Sequence, residues 1–302
     1  MKRKVVQQGP ATLMVSLPSK WAKRCGIKRG DEIEVTEKDS SLNISIHRKE
    51  EIKEATIQLI SSDEWYVDQT IRNLYTSGYD EIKVKFEDPK TILVIQTVVD
   101  KLIGFEIIEQ KEENCLIKSV SKGMEENLNS IFRKVFLIVV NQFDKILNDI
   151  KNNNREYAVF KQMNDNARKF SIFCRRLINK TDFNESKKIA LYVIMMRSSM
   201  ISSTLTYLYH ALAEKKKIEI KKESLNFLIE AQNDFRIIYD VFYKKNIENL
   251  EKLKNRRILI QNALAQFLKK NKGIDSVIVH YATEIIRLAS AMGGYVLKYC
   301  VD

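Results

Sequence analysis

The chain has 302 residues, 44% of them hydrophobic and 30% charged, with 51 Lys and Arg against 39 Asp and Glu and a formal net charge of +12. Such a composition excludes an intrinsically disordered chain and allows two or three domains with their own cores, while the cation excess favours a phosphate-rich partner, either nucleic acid or an anionic membrane surface. Four dispersed cysteines (Cys25, Cys115, Cys174, Cys300) without a C-x-x-C pair speak against a disulfide framework or a spaced zinc site.

The cations are unevenly placed. From Met1 to Gly30 there is no Asp or Glu, yet Lys2, Arg3, Lys4, Lys20, Lys23, Arg24, Lys28 and Arg29 all fall there. Between the two clusters, Gln7-Gln8-Gly9-Pro10 reads as a turn, and Leu13, Val15 and Leu17 alternate as a strand, so a small β-hairpin flanked by cations is predicted. Pro18-Ser19 opens a short helix through Trp21 to Cys25, and Gly26 suits the left-handed position that ends it. A turn at Gly30-Asp31 leads into a strand over 32–36, and a second strand over 41–47 places Leu42, Ile44 and Ile46 on one face. A unit this small buries little core alone, so dimerisation is the physical expectation.

A second unit follows. A strand over 55–60 precedes a helix from Asp63 to Ser77 with Val67, Ile71, Leu74 and Tyr75 on one side, closed by Gly78. Residues 81–86 alternate as a strand, Pro89 stands where the first turn of the next helix belongs, and that helix ends near Gly104. Strands beginning at Phe105 and at Asn114 complete a β-α-β-α-β-β order, a small sheet with helices on one face.

Downstream, no proline follows Pro89 and no glycine falls between Gly123 and Gly273. Without breakers the remainder reads as helical, interrupted near 152–154, 182–184, 215–217, 246 and 270–273, which makes six helices. The first carries Met124, Leu128, Ile131, Val135 and Leu147 at three- and four-residue steps. Six helices broken near 217 suggest two antiparallel three-helix units. The segment 189–213 has Arg197 as its only formally charged residue, but its Ser and Thr content marks a buried bundle helix and no membrane insertion is expected. With no signal peptide visible, a cytoplasmic location is expected.

Residues 4–36 carry a resemblance. The run Thr12-Leu13-Met14-Val15-Ser16-Leu17-Pro18, then Trp21-Ala22-Lys23, then Gly26-Ile27-Lys28-Arg29-Gly30-Asp31-Glu32-Ile33 resembles the swapped-hairpin DNA-binding fold of AbrB, SpoVT and MazE-type regulators. The helical remainder resembles PhoU, the phosphate-uptake regulator, and the whole is similar to archaeal proteins that join an AbrB-like head to a PhoU-like body. Gly78-Tyr79-Asp80-Glu81-Ile82 and the run from Leu102 to Gln110 add to that likeness. The fold class expected is therefore α+β multidomain: a dimeric swapped-hairpin β-barrel over 1–50, a small α/β domain over 51–120, and an all-α six-helix bundle of two three-helix units over 121–302.

The resemblance implies an intertwined homodimer through the N-terminal domain, with basic side chains of the first strand and loop laid along double-stranded DNA. The matching positions are Lys2, Arg3, Lys4, Gln7, Gln8 and Thr12, joined by Lys20, Lys23 and Arg24 on or beside the short helix. Lys and Arg would displace counterions along the phosphates, and Arg3, Gln7 and Gln8 are the candidates for base edges. The bland alternative is a solvated basic face. PhoU bodies often hold metal clusters through repeated Glu/Asp-x-x-x-Asp carboxylates, but the corresponding stretch 162–169 keeps only Asp165 and has Arg168 where an acid often stands. Glu230 with Asp234, and His280 with Glu284, are read as surface pairs, so no metal and no cofactor is expected.

The function so implied is transcriptional regulation of phosphate uptake and homeostasis. A second reading makes the body an adaptor for a phosphate-transport or signalling protein, with the head acting mainly in dimerisation. An enzyme is not expected: His47, His210 and His280 form no Glu-x-x-His pair, and neither a Walker-type loop nor a nucleophile elbow occurs.

Overall fold

The computed structural model describes residues 3–38, 41–45, 52–120, 128–215 and 218–301; Lys2, Ile46, His47 and Met124 lie outside them. The chain divides into two compact units, Met1–Ile52 and Lys53–Asp302.

In the first unit, strands β1 (Val5–Gln8) and β2 (Thr12–Val15) form an antiparallel hairpin, closed by a three-residue loop in which Gly9 takes φ +78°. Helix α1 (Ser19–Arg24) follows, then the antiparallel pair β3 (Glu34–Lys38) and β4 (Ser41–Ser45). The α1 terminus is fully specified by backbone chemistry. Gly26, at φ +68°, donates to the Lys23 carbonyl at 3.2 Å, and Ile27 donates to the Ala22 carbonyl at 3.0 Å. These are the two bonds of a Schellman cap. Strand β3 starts two residues later than its alternation suggests, because the Lys28 amide donates to the Asp31 carboxylate at 2.7 Å and holds 28–31 as a turn.

The second unit begins with a four-stranded sheet in the order β5-β6-β8-β7: β5 (Glu54–Gln58), β6 (Glu81–Lys85), β7 (Phe105–Gln110) and β8 (Asn114–Ser119). Strands β5 and β6 run parallel across helix α2 (Glu64–Thr76), and β8 lies antiparallel between β6 and β7. Cross-strand pairs Ile82 with Ile117 and Val84 with Cys115 put four buried side chains on one face. There they join Val67 and Ile71 of α2 and Ile95 and Val98 of α3 (Thr91–Val99) in one core. Pro89 sits before α3, not inside its first turn, since the Asp88 carboxylate accepts from the Lys90 amide at 2.9 Å and makes its own turn. Helix α3 stops at Val99 rather than near Gly104; Gly104, at φ +78°, lies in the turn that follows.

Six helices complete the described residues: α4 (Leu128–Asn152), α5 (Tyr157–Lys180), α6 (Glu185–Ala213), α7 (Lys222–Lys244), α8 (Leu250–Lys270) and α9 (Ile274–Val301). Helices α4, α5 and α6 pack on one another, α7 and α8 pack on α9, and α6 lies against α9. Helix α6 is the one described helix long and apolar enough to cross a membrane, and 56% of its apolar window is buried. Several of its hydroxyls are satisfied inside the protein: Ser198 donates to the Ile194 carbonyl at 2.9 Å, Thr206 to the Ser202 carbonyl at 2.9 Å, and Ser202 to the Asn164 side-chain oxygen at 3.0 Å. Asp234, expected on a solvated face, is instead fully buried on α7, the helix most closely packed against α9.

Cations of α5 join the sheet region to the helices. Arg176 of α5, 4% exposed, donates to the Asp80 carboxylate at 2.6 Å and to the carbonyls of Tyr75 and Tyr79. Asn179 and Lys53 donate to the Thr76 and Ser77 carbonyls at 2.7 and 3.0 Å, so the last carbonyls of α2, which have no partner within the helix, are met by side chains. Lys180 adds a second contact to Asp80 at 2.8 Å. Burial alone would raise the Asp80 pKa. The Lys180 hydrogen bond, the Lys53 amide and the charges of Lys180 and Arg176 outweigh it and hold the group below its ordinary value.

Candidate nucleic-acid interface

The β1–β2 register decides which hairpin residues share a face. Val5 pairs with Val15 and Gln7 with Leu13; Val6 pairs with Met14 and Gln8 with Thr12. Directly paired residues of an antiparallel ladder point the same way, and neighbours along a strand point oppositely. One face therefore holds Val5, Gln7, Leu13 and Val15, and the other Val6, Gln8, Thr12 and Met14. Gln8 and Thr12 are brought together, while Gln7 is set on the more apolar face.

All these side chains are open to solvent in a single chain. Leu13 is 71% exposed, Val5 62% and Val15 47%. Over 3–35, and at Glu37, Leu42 and Ile44, no residue is buried, and α1 buries none. Exposed apolar side chains on both strands, with nothing packed against them among the described residues, are the signature of a core completed from outside.

Lys20, Lys23 and Arg24 follow three- and four-residue steps and lie on one flank of α1, all exposed. Arg3 and Lys4 precede β1 and are exposed as well. The cation clusters thus sit at the entrance of the hairpin and on the helix that follows it. Lys23 and Arg24 also occupy the last turn of α1, where they complement the negative end of the helix. The Val5-Val6 pair, which makes the first strand and supplies each face with an apolar residue, was not singled out in the sequence; two adjacent β-branched residues before a Gly-Pro turn were the available signal.

Residues 6–50 match the family described as antidote-toxin recognition MazE, bacterial antitoxin. The chain thus carries a MazE/AbrB-type domain at its N-terminus, a domain compatible with a DNA-binding regulator. No curated protein and no solved structure matched the chain.

Proposed function

We propose that the chain is a DNA-binding transcriptional regulator of phosphate uptake, built from a MazE/AbrB-type head over 1–50, an α/β segment over 51–120 and a PhoU-like helical body over 121–302. The observation that carries the DNA-binding part is the head itself: a matched domain without an acidic residue before Asp31, whose described cations at 3, 4, 20, 23 and 24 are all exposed. The phosphate part rests on the order and number of the helices and on the sequence likeness of the body. The head acts as a homodimer, pairing the Val5–Leu13–Val15 faces of two chains and turning Gln8, Thr12 and the cations outward. The protein acts in the cytoplasm, without a metal or other cofactor and without catalysing a reaction.

Two chains would present Lys20, Lys23 and Arg24 twice, a rigid set of six charges. Each neutralised phosphate steepens the fall of log K with log salt by about 0.9. The test is fluorescence anisotropy of a labelled duplex from low to physiological salt. The expected result is a steep linear loss of affinity that flattens by up to about 5 units of slope in the Lys20→Ala, Lys23→Ala, Arg24→Ala protein. Failure to bind any duplex at low salt would contradict the reading and leave the head as a dimerisation device for an adaptor body.

A further inference from the structure

We propose that the cleft between α2, the end of α3 and α5 is a binding site for a nucleoside phosphate. The cleft encloses about 730 Å³, within the range of about 300–1,000 Å³ typical of small-molecule sites. Its two walls differ in chemistry. The wall from α2 and the end of α3 presents the Trp65 indole with the carboxylates of Glu64, Asp68 and Asp100 beside one cation, Lys101, and the α5 wall presents Lys161, Arg168 and Lys169 around one carboxylate, Asp165. Spacings of seven and eight residues place those three cations on one side of α5.

The acidic wall is already engaged. Glu64 pairs with Lys101 at 3.1 Å, and Asp100 accepts from Gln96 at 2.7 Å, leaving lone pairs for hydroxyl or amino donors. Opposite, neither Lys161 nor Arg168 forms an ion pair among the described residues, and Lys169 reaches only the Asp100 carbonyl at 3.3 Å. Positive charge is crowded between α2 and α5: although Arg72 of α2 pairs with Asp68, burial and then the charges of Arg168 and Arg175 push its pKa down to about 10. Arg72 and Arg175 each keep a buried Nε without a hydrogen-bond partner. The α5 wall sets three cations against one carboxylate, and a phosphate against Lys161 and Arg168 would balance that excess.

Trp65 supplies the third element. It is 70% exposed at the rim, and no ring or cation stacks on it among the described residues. An inorganic anion would leave the indole and the acidic wall unused, and an uncharged nucleoside would leave the α5 cations unmatched. A planar base on Trp65, sugar or amino donors toward Glu64 and Asp100, and phosphates toward α5 use all three.

The Trp21→Phe protein retains Trp65 as its single tryptophan, so emission reports this cleft. The full-length variant is titrated with ATP, GTP and AMP, and in parallel with adenosine and inorganic phosphate; calorimetry on otherwise wild-type protein reads the effect of the substitutions. The proposal expects saturable quenching by at least one nucleotide, with adenosine and phosphate at least about tenfold weaker. It also expects at least a tenfold loss in Lys161→Ala with Arg168→Ala, and a several-fold loss in Trp65→Ala, both exposed changes that leave the core untouched. Absence of nucleotide binding, phosphate binding as tightly as any nucleotide, or affinity that falls only when the head cations are removed would each overturn it. Duplex binding is a separate readout, so failure here leaves the DNA reading standing, and the reverse.

Discussion

In the first unit Val5, Leu13, Val35 and Leu42 are all more than half exposed, whereas in the second Val67, Phe136, Ile194 and Ile285 are sealed from solvent within one continuous core. Both regions carry apolar residues in their strands and helices. What differs is whether the same chain supplies a covering layer. In the second unit α2 and α3 cover the apolar face of the sheet and α5 reaches it through Arg176; the head has two ribbons and six helical residues, too little to cover itself. Apolar periodicity thus identifies a face that must be buried, while the number of elements decides whether one chain or two must bury it.

The contrast can be broken first in the body. Arg176→Ala would take the side-chain donor from the Tyr75 and Tyr79 carbonyls and leave Asp80 with Lys180 as its remaining cation, and losing these hydrogen bonds to a charged group costs about 3 kcal/mol. Chemical denaturation should show that loss, and an unchanged midpoint would mean that Arg176 does not hold α5 to α2. In the head, Leu13→Asp places a charge on the face proposed to pair. The expectation is a dimer weakened by about a hundredfold or more in sedimentation, with body stability changed by no more than about 0.5 kcal/mol, as for a surface substitution.

A finer contrast lies between two adjacent glutamines. Gln8 shares a face with Thr12, the face turned outward in the proposed dimer, and Gln7 shares the face of Leu13. Gln8→Ala should therefore cost about 1–3 kcal/mol of discrimination between a preferred duplex and a mismatched one. Gln7→Ala should leave discrimination nearly intact and act on dimerisation instead. The reverse order in a competition assay would show that the hairpin is inserted the other way round.

The smallest effect expected is that of pH on Asp80. Its folded pKa lies below the unfolded value, so its contribution is fully present above about pH 4 and fades as pH falls through the folded value. Between pH 4 and 2 the wild-type body should lose stability more steeply than Asp80→Asn; parallel slopes would contradict the assignment.

Helix boundaries in the body were legible because no proline follows Pro89 and no glycine falls between Gly123 and Gly273, and the breaks near 152, 182, 246 and 270 fall within a few residues of the observed helix ends; Gly293 and Gly294 lie inside α9 without ending it. Gly26 was legible for a different reason: a six-residue helix followed by Cys-Gly-Ile, with glycine one past the cap residue, satisfies its last carbonyls in one way. Local hydrogen bonds that compete with a repeating pattern were not legible, so Asp31 delayed β3 and Asp88 displaced Pro89 from α3. The exposure of the head cations followed from their charge, but the faces of Gln7 and Gln8 did not, because they depend on the register set by the Gly9 loop. The cleft was least accessible of all. Trp65 and Arg168 are about a hundred residues apart, and only the packing of α5 along α2 brings them to one opening. The i, i+7 and i+8 cations on α5 were the one local hint.

Hydrogen exchange along a protein dilution series tests the central contrast most directly. The amides of β1 and β2 should gain protection as concentration rises through the dimer range, while those of β6, β8 and α6 keep the same protection throughout. Hairpin amides protected equally at concentrations where the chain is monomeric would contradict the account, because the head would then have found its covering layer within one chain.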